Sequence, residues 1–528
     1  MGLYLFFEEV LNRKSFYFPV AFFVLVGYSF SIYNRTISID DLLLNDSGLS
    51  AMLIGRWGMY VWAKFVGFTE MFPFVFRFLA LLFYIIAAIL FCFVLYSIGG
   101  SKSVISYTIC ASAFVSYPLI HEIFEYEVSY MVTGNLCLVT LAAIVIRSRL
   151  SVKTKILWAS LLIELPISSY ESAIFYYITL VCIIILYEYI ANHEMKFEFM
   201  DWVRKNLLFF IPVIVALAIR IAIHVFIYLI FGLKYLGNGA NGILWIEDSF
   251  LHVLKCMAVF TIVDYFLCAL IYLPITIFLL SLFFFIFSLS QVKNKRRCVY
   301  VLGLMVVISL FSQSLLQGYS QPGRTSQVFT LFIAFSFYLL VVSSRVEWRK
   351  YIYVVLFGLC WYQSVYLNKL LCLNNLRSEN ELAAIRQIGN RIQSEFEKKP
   401  VAFVGDIQVS KWILDQITIN EISWNGHLFC SVYDNFITEH KRPYKYIGSN
   451  VISASMERHQ LQAMFSYCGY DIEIYPDYSP YMTMETVGVE KCNRIQATVE
   501  EIAKEQKMRP YQIFDNGDYL IVNLGEDN

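Results

Sequence analysis

Eleven stretches of mostly apolar residues run through this chain of 528 residues, near 16–33, 73–96, 104–120, 128–146, 156–168, 173–190, 207–231, 258–289, 298–317, 328–343 and 351–367. A helix needs about 20 such residues to cross a bilayer, and inside the bilayer its backbone must satisfy its own hydrogen bonds. The stretches predict a polytopic α-helical membrane protein of about 11 spans. Composition points the same way. Only 16% of the residues are charged, where a soluble domain carries about 25%. The fifth stretch is short for a crossing. Pro166 and the break from Ser168 to Ser172 predict a short or broken helix there. The first stretch follows Asn12-Arg13-Lys14 and has no small-residue cleavage site behind it, so it reads as a retained helix and not a signal peptide.

Charge divides the chain. Residues 369–528 carry 38 of the 82 charged side chains, 16 basic and 22 acidic. Residues 1–368 carry the other 44, 25 basic and 19 acidic. The first part is predicted to be a multi-span membrane domain, and the second an α/β domain outside the bilayer. In that tail Leu382, Ile385, Ile388, Ile392 and Phe396 recur at helical spacing, Val401 to Gly405 reads as a buried strand, Glu457 to Phe465 as a helix and Tyr519 to Val522 as a terminal strand. The tail has no catalytic set of its own and is expected to roof the site and help select an acceptor. The overall balance of 41 basic and 41 acidic residues argues against a nucleic-acid partner, which calls for a basic surface.

Orientation follows Lys and Arg. One set of alternate loops holds 17 basic residues and the other 6 (Arg35, Arg56, Lys64, Lys234, Lys255 and Arg324). The basic set belongs on the cytoplasmic side. This puts the N-terminus in the cytoplasm and, with an odd span count, the tail outside.

The loop after the first span is the most informative. Ile39-Asp40-Asp41 is followed by Asn45-Asp46-Ser47, which has helix-capping chemistry. A helix from Gly48 to Phe65 follows, rich in Trp and Tyr, as befits a helix lying at the membrane surface. Arg56 falls within its apolar stripe with Leu49, Leu53 and Tyr60, where an unpaired charge is costly. A carboxylate or a lipid phosphate is its natural partner. Two adjacent acids held near lipid repel each other, so one has a raised pKa and suits proton abstraction from a sugar hydroxyl. The pair reads equally as metal ligands or as a solvated turn, which leaves a divalent cation open and names no other cofactor.

Asp40-Asp41 after the first span, followed by an interfacial helix with Gly55-Arg56-Trp57, resembles the bacterial O-antigen serotype-converting glucosyltransferases, the Gtr type II-like membrane enzymes of the GT-C class. The motif is confined to about residues 38–58; the architecture of the whole chain fits as well. The resemblance implies a GT-C-like fold in the bacterial inner membrane, a hexose donor on polyprenyl phosphate, and a surface-glycan acceptor on the periplasmic side. It places the catalytic base at Asp40 or Asp41 and Arg56 on the Gly-Arg-Trp position.

Further candidates face the same side. Glu122, Glu125, Tyr170 and Glu171 suit an acceptor sugar, with carboxylates for hydroxyls and aromatics for ring faces. Arg324, the lone charge of a tight Gly318–Thr325 turn, suits the donor phosphate. The Gly-Asn-rich segment 235–242 reads as a lid or a connector. Arg220 and His224 lie one turn apart inside the seventh span, and Asp264 lies in the eighth; ionisable groups there are functional candidates, with an Arg220–Asp264 pair as the plain structural reading. No Cys-x-x-Cys or His-x-x-x-His spacing suggests zinc. In an oxidising compartment Cys468 and Cys492 are the expected disulfide, leaving Cys430 free. Two other functions compete: a lipid-linked-sugar flippase or transporter, and an O-antigen polymerase-like enzyme. The absence of an internal repeat counts against the first. Acidic rather than arginine-rich outer loops count against the second.

Overall fold

The computed structural model describes residues 2–34, 56–66, 73–100, 103–125, 129–191, 199–231, 249–251, 253–254, 273–292, 296–318, 327–405, 458–475 and 486–524. These fall into two compact units, one holding the described residues 2–33 and 56–371 and the other Asn34 with those from Cys372 on.

The first unit is a helix bundle. Its main helices are α1 (Lys14–Tyr33), α2 (Trp57–Val66), α3 (Pro73–Gly99), α4 (Val104–Ser116), α5 (Ser129–Arg147), α6 (Val152–Ser169), α7 (Ala173–Ala191), α8 (Phe199–Phe231), α9 (Leu273–Ser290), α10 (Arg296–Leu310) and α11 (Val328–Ser343). The first part of α12 (Val346–Glu395) completes it. Among the described residues five helices are long and apolar enough to cross a membrane: α1, Val75–Gly99 of α3, α5, α7, and Asn206–Ile230 of α8. Shorter apolar helices cover 104–116, 276–290, 297–310 and 328–343.

The surface of this unit is that of a protein dissolved in lipid. Along α8, Ile214, Ile221 and Leu229 are 66%, 64% and 73% exposed. Phe22 and Leu25 on α1, Phe283 and Ile286 on α9, and Val354 and Val355 on α12 are exposed as well. So much bare apolar surface is untenable in water and costs nothing in a bilayer. The interior, by contrast, holds hydroxyls. Thr133, Thr140, Ser160 and Ser336 each donate to the carbonyl four residues back in their own helix, which satisfies the hydroxyl without a partner helix. Tyrosines tie helices together: Tyr28 donates to the Val115 carbonyl, Tyr84 to Phe114 and Tyr177 to Phe209.

Helix α6 departs from the sequence expectation. It is one unbroken helix of 18 residues that starts four residues before the apolar stretch. Ser151 caps it by accepting from the Thr154 N–H, so a polar first turn extends what hydropathy alone marks. Pro166 sits inside its last turns, and the chain turns extended only at Tyr170. The break is real but falls after the helix. Helix α6 packs against α5, α8 and α2.

In the second unit, β1 (Val401–Val404), α13 (Arg458–Tyr467), α14 (Thr486–Glu505), β2 (Ile513–Asp515) and β3 (Leu520–Asn523) follow the end of α12. The sheet order is β1-β3-β2, with β1 parallel and β2 antiparallel to β3. Alternation along the strands sends side chains to opposite faces. Val401 and Phe403 join Ile385, Ile388 and Phe465 in one core, and Ala402 and Val404 join Val499 and Ala503 in another. Cys468 has a free thiol at the edge of the first core, where the sequence reading paired it with Cys492. The side chain of Cys492 and the whole of Cys430 lie outside the described residues.

Candidate functional site

The site begins with a close approach of two helices. Gly58 of α2 rests on the last turn of α6, and a Cβ there would lie 2.4 Å from Ser168 Oγ, 2.5 Å from Ser169 Oγ and 2.8 Å from the Leu165 carbonyl oxygen. Only a glycine permits this contact. One turn on, Trp62 is buried and its indole N–H donates to Asn135 Oδ1 of α5 at 3.0 Å. Gly58 and Trp62 thus dock α2 along one face, with the exposed Phe65 edge-on to the Trp62 ring. Residues 48–55, the expected first half of this helix, lie outside the described residues.

This docking delivers Arg56, just ahead of α2, to the turn between α6 and α7. Its Nη2 is 3.4 Å from Glu171 Oε2, and its guanidinium carbon Cζ lies over the Tyr170 ring, 5.6 Å from the ring centre. From the other side, Arg220 of α8 donates to Glu171 Oε1 at 2.7 Å. One carboxylate therefore sits between two arginines. The side chains are partly shielded: Arg56 is 20% exposed, Arg220 13% and Glu171 34%. Burial pushes the Glu171 carboxyl up, but the charges of Arg56 and Arg220, with the Arg220 hydrogen bond, hold it below its ordinary value. The trio carries a net charge of plus one. Among the described residues, Arg56 Nε and Trp57 Nε1 are buried donors that meet no acceptor. Such donors are rare in a finished structure and mark where an acceptor can be received.

The sequence-derived candidates divide as follows. Arg56, Tyr170 and Glu171 come together, and the partner foreseen for Arg56 is a carboxylate, Glu171. Arg220 joins them and so does not need Asp264, which lies outside the described residues. Asp40, Asp41 and Arg324 also lie outside them. Glu122 and Glu125 fall in a 3-10 helix, Pro118–Glu125, whose glutamate side chains are not described. The neighbouring His121 is buried, with Nδ1 2.9 Å from the Pro118 carbonyl. Among the described residues no three His, Cys, Asp or Glu side chains are grouped to hold a metal ion. Sequence reasoning overlooked Glu164, a buried carboxylate in α6. Its signal was an ionisable residue inside an apolar run, the same one that flagged Arg220.

The Gly58 contact makes a direct prediction. In Gly58→Ala the new methyl meets a backbone carbonyl as well as two hydroxyls, so α2 must lift and carry Arg56 from Glu171. Overpacking of this kind costs about 1–3 kcal/mol. The melting temperature of the detergent-solubilised protein should fall, and Gly58→Leu should lower it further.

No curated protein and no solved structure matches the chain. One family does, over residues 29–342, a span that contains Arg56, Glu171 and Arg220. That match covers more than half of the sequence, and the chain accordingly belongs to the glucosyl transferase GtrII family and is a glycosyltransferase.

Proposed function

We propose that this protein moves a hexose, glucose by preference, from a polyprenyl-phosphate carrier to O-antigen or a related surface glycan, on the periplasmic face of a bacterial inner membrane. The observation that carries the reading is the pairing of Arg56 and Arg220 on the single carboxylate of Glu171. Two arginines sharing one acid keep a surplus positive charge and unspent donors, which is what a phosphate needs. A nucleotide sugar is a cytosolic donor, so chemistry on the far face calls for a lipid-linked one.

In this reading the donor phosphate displaces Glu171 and lies between the two guanidiniums, with Arg324 as a third cation. Asp40 or Asp41 takes the proton of the acceptor hydroxyl. The acceptor oxygen attacks the anomeric carbon as the bond from that carbon to the phosphate oxygen breaks, and the electron pair leaves with the phosphate. A single displacement inverts the anomeric centre. The cations act on the charge that develops on the leaving phosphate, where such stabilisation has most effect. Tyr170, Glu122, Glu125 and the displaced Glu171 are then available to the acceptor sugar, and the tail takes part in selecting it.

The test is reconstitution. Purified protein in lipid vesicles, given polyprenyl-phosphate hexose and acceptor glycan, should yield a product heavier by one hexose per repeat, read by mass spectrometry. Lengthened glycan chains would replace the reading with a polymerase. Movement of the lipid across the bilayer without sugar transfer would replace it with a transporter.

A further inference from the structure

Two short segments are pressed together at the site. Arg56 reaches Glu171 and the Tyr170 ring, and Gly58 rests on Ser168 and Ser169. Within residues 56–58 and 168–172, three buried side-chain atoms have no hydrogen-bond partner among the described residues: Arg56 Nε, Trp57 Nε1 and Ser172 Oγ. Ser172 is 4% exposed, and a hydroxyl shut away without a partner is costly. It stands at the head of α7. Its carbonyl accepts from the Tyr176 N–H at 3.3 Å, which is the position of a helix cap. A capping serine turns its oxygen to the N–H of the second or third helical residue. Ser151 does so at the head of α6, where its Oγ accepts from the Thr154 N–H at 3.3 Å. Ser172 does not. The Ile174 and Phe175 N–H groups are taken by the Glu171 and Ser172 carbonyls, at 3.2 and 3.1 Å, and the hydroxyl is left over. The helix behind it runs 19 residues, and its aligned peptides put about half a positive charge at this end. Glu171 directly precedes Ser172, with Cα atoms about 3.8 Å apart. The positive end of α7 therefore opens beside the carboxylate that Arg56 and Arg220 share.

We propose that Ser172 and the N-terminus of α7 complete the phosphate seat: when the phosphate takes the place of Glu171 between the arginines, the Ser172 hydroxyl donates to one of its oxygens. The inference rests on the phosphate reading of Arg56 and Arg220. It accounts for the missing cap. A hydroxyl engaged in capping must be released before it can bind a ligand, whereas one held without a partner is ready, its cost already carried by the ligand-free protein. The helix end adds fixed positive charge that needs no rearrangement on binding.

The experiment measures binding of polyprenyl monophosphate to the full-length protein in nanodiscs of one fixed lipid composition, with the melting temperature followed in parallel. Ser172→Ala should weaken binding by about tenfold, the effect of one hydrogen bond to a charged group. Its melting temperature without ligand should stay at or slightly above that of wild type, because no bond is lost and a stranded hydroxyl is removed. Ser151→Ala supplies the contrast: it removes a working cap, so the protein should melt lower and bind as wild type. Ser172→Asp places a resident anion at the helix end and should melt higher while binding at least about tenfold more weakly. Arg220→Gln should also weaken binding by at least about tenfold. If Ser172→Ala binds as wild type while Arg220→Gln is weak, the role of Ser172 falls and the phosphate reading stands. If Ser172→Ala melts lower, as Ser151→Ala does, the hydroxyl is a structural tie and the proposal is overturned. Wild-type binding in Ser172→Asp overturns it as well. If Arg220→Gln binds as wild type, the phosphate reading falls and takes this proposal with it.

Discussion

Replacement of both Asp40 and Asp41 by Asn is expected to lower sugar transfer by about a hundredfold or more, the usual contribution of a positioned general base. The protein should still reach the membrane and melt at its normal temperature. An asparagine keeps the size and the hydrogen-bonding capacity of the aspartate but cannot accept the proton of an acceptor hydroxyl. The single variants discriminate further. Adjacent acids titrate as a pair, with the last proton to leave held more tightly than the first. One of Asp40→Asn and Asp41→Asn should therefore lose most of the activity, and the other should mainly shift the pH profile of transfer. Full activity in both single variants and in the double would remove the pair from the mechanism. The comparison needs the melting temperature alongside, so that loss of transfer is not confused with loss of fold.

Glu171→Ala has two expected effects of opposite sign. Removing the carboxylate leaves Arg56 and Arg220 facing each other, partly shielded from water. Breaking a buried ion pair costs about 3–5 kcal/mol. With Glu171 itself 34% exposed, solvent takes up part of this, and about 2 kcal/mol is expected. The variant should melt clearly below the wild type. Binding of polyprenyl monophosphate should tighten, because the phosphate no longer competes with a resident anion, and adding it should restore much of the lost stability. A variant that melts lower and binds no better would leave Glu171 a structural tie alone. The pH dependence follows the same logic. The Glu171 carboxyl lies below its ordinary value, so its ion pairs contribute stability above the carboxylate range of the unfolded chain. That contribution is lost only as pH falls through the lowered folded value. Wild type and Glu171→Ala should therefore converge in stability at acidic pH and diverge toward neutral.

Much of this protein follows from local pattern. The apolar stretch at 328–343 coincides with α11, Val328–Ser343, since a run of large aliphatic and aromatic residues with no breaker has one stable form in lipid. The same holds for 173–190 within α7. Boundaries are less legible where polar residues extend a helix, as Ser151 does for α6, because capping chemistry is invisible to hydropathy. Arg56 shows both sides of the matter. Its placement in an apolar stripe implied a counter-charge, and the adjacent Gly-Arg-Trp pattern carried the family resemblance. Nothing local chose among the many acids able to serve.

The sequence by itself determined a membrane-embedded helical protein, its family, and the short list of charged residues worth watching, because hydropathy, helix length and charge spacing act over a few turns. Only the tertiary structure decided that Arg56 and Arg220 meet on Glu171, 115 and 49 residues apart in sequence, and that Glu164 lies buried in the bundle. The reason is physical. In a low-dielectric interior a charge is tolerable only beside its partner, and which helices supply that partner depends on close contacts such as Gly58 on Ser168 and Ser169.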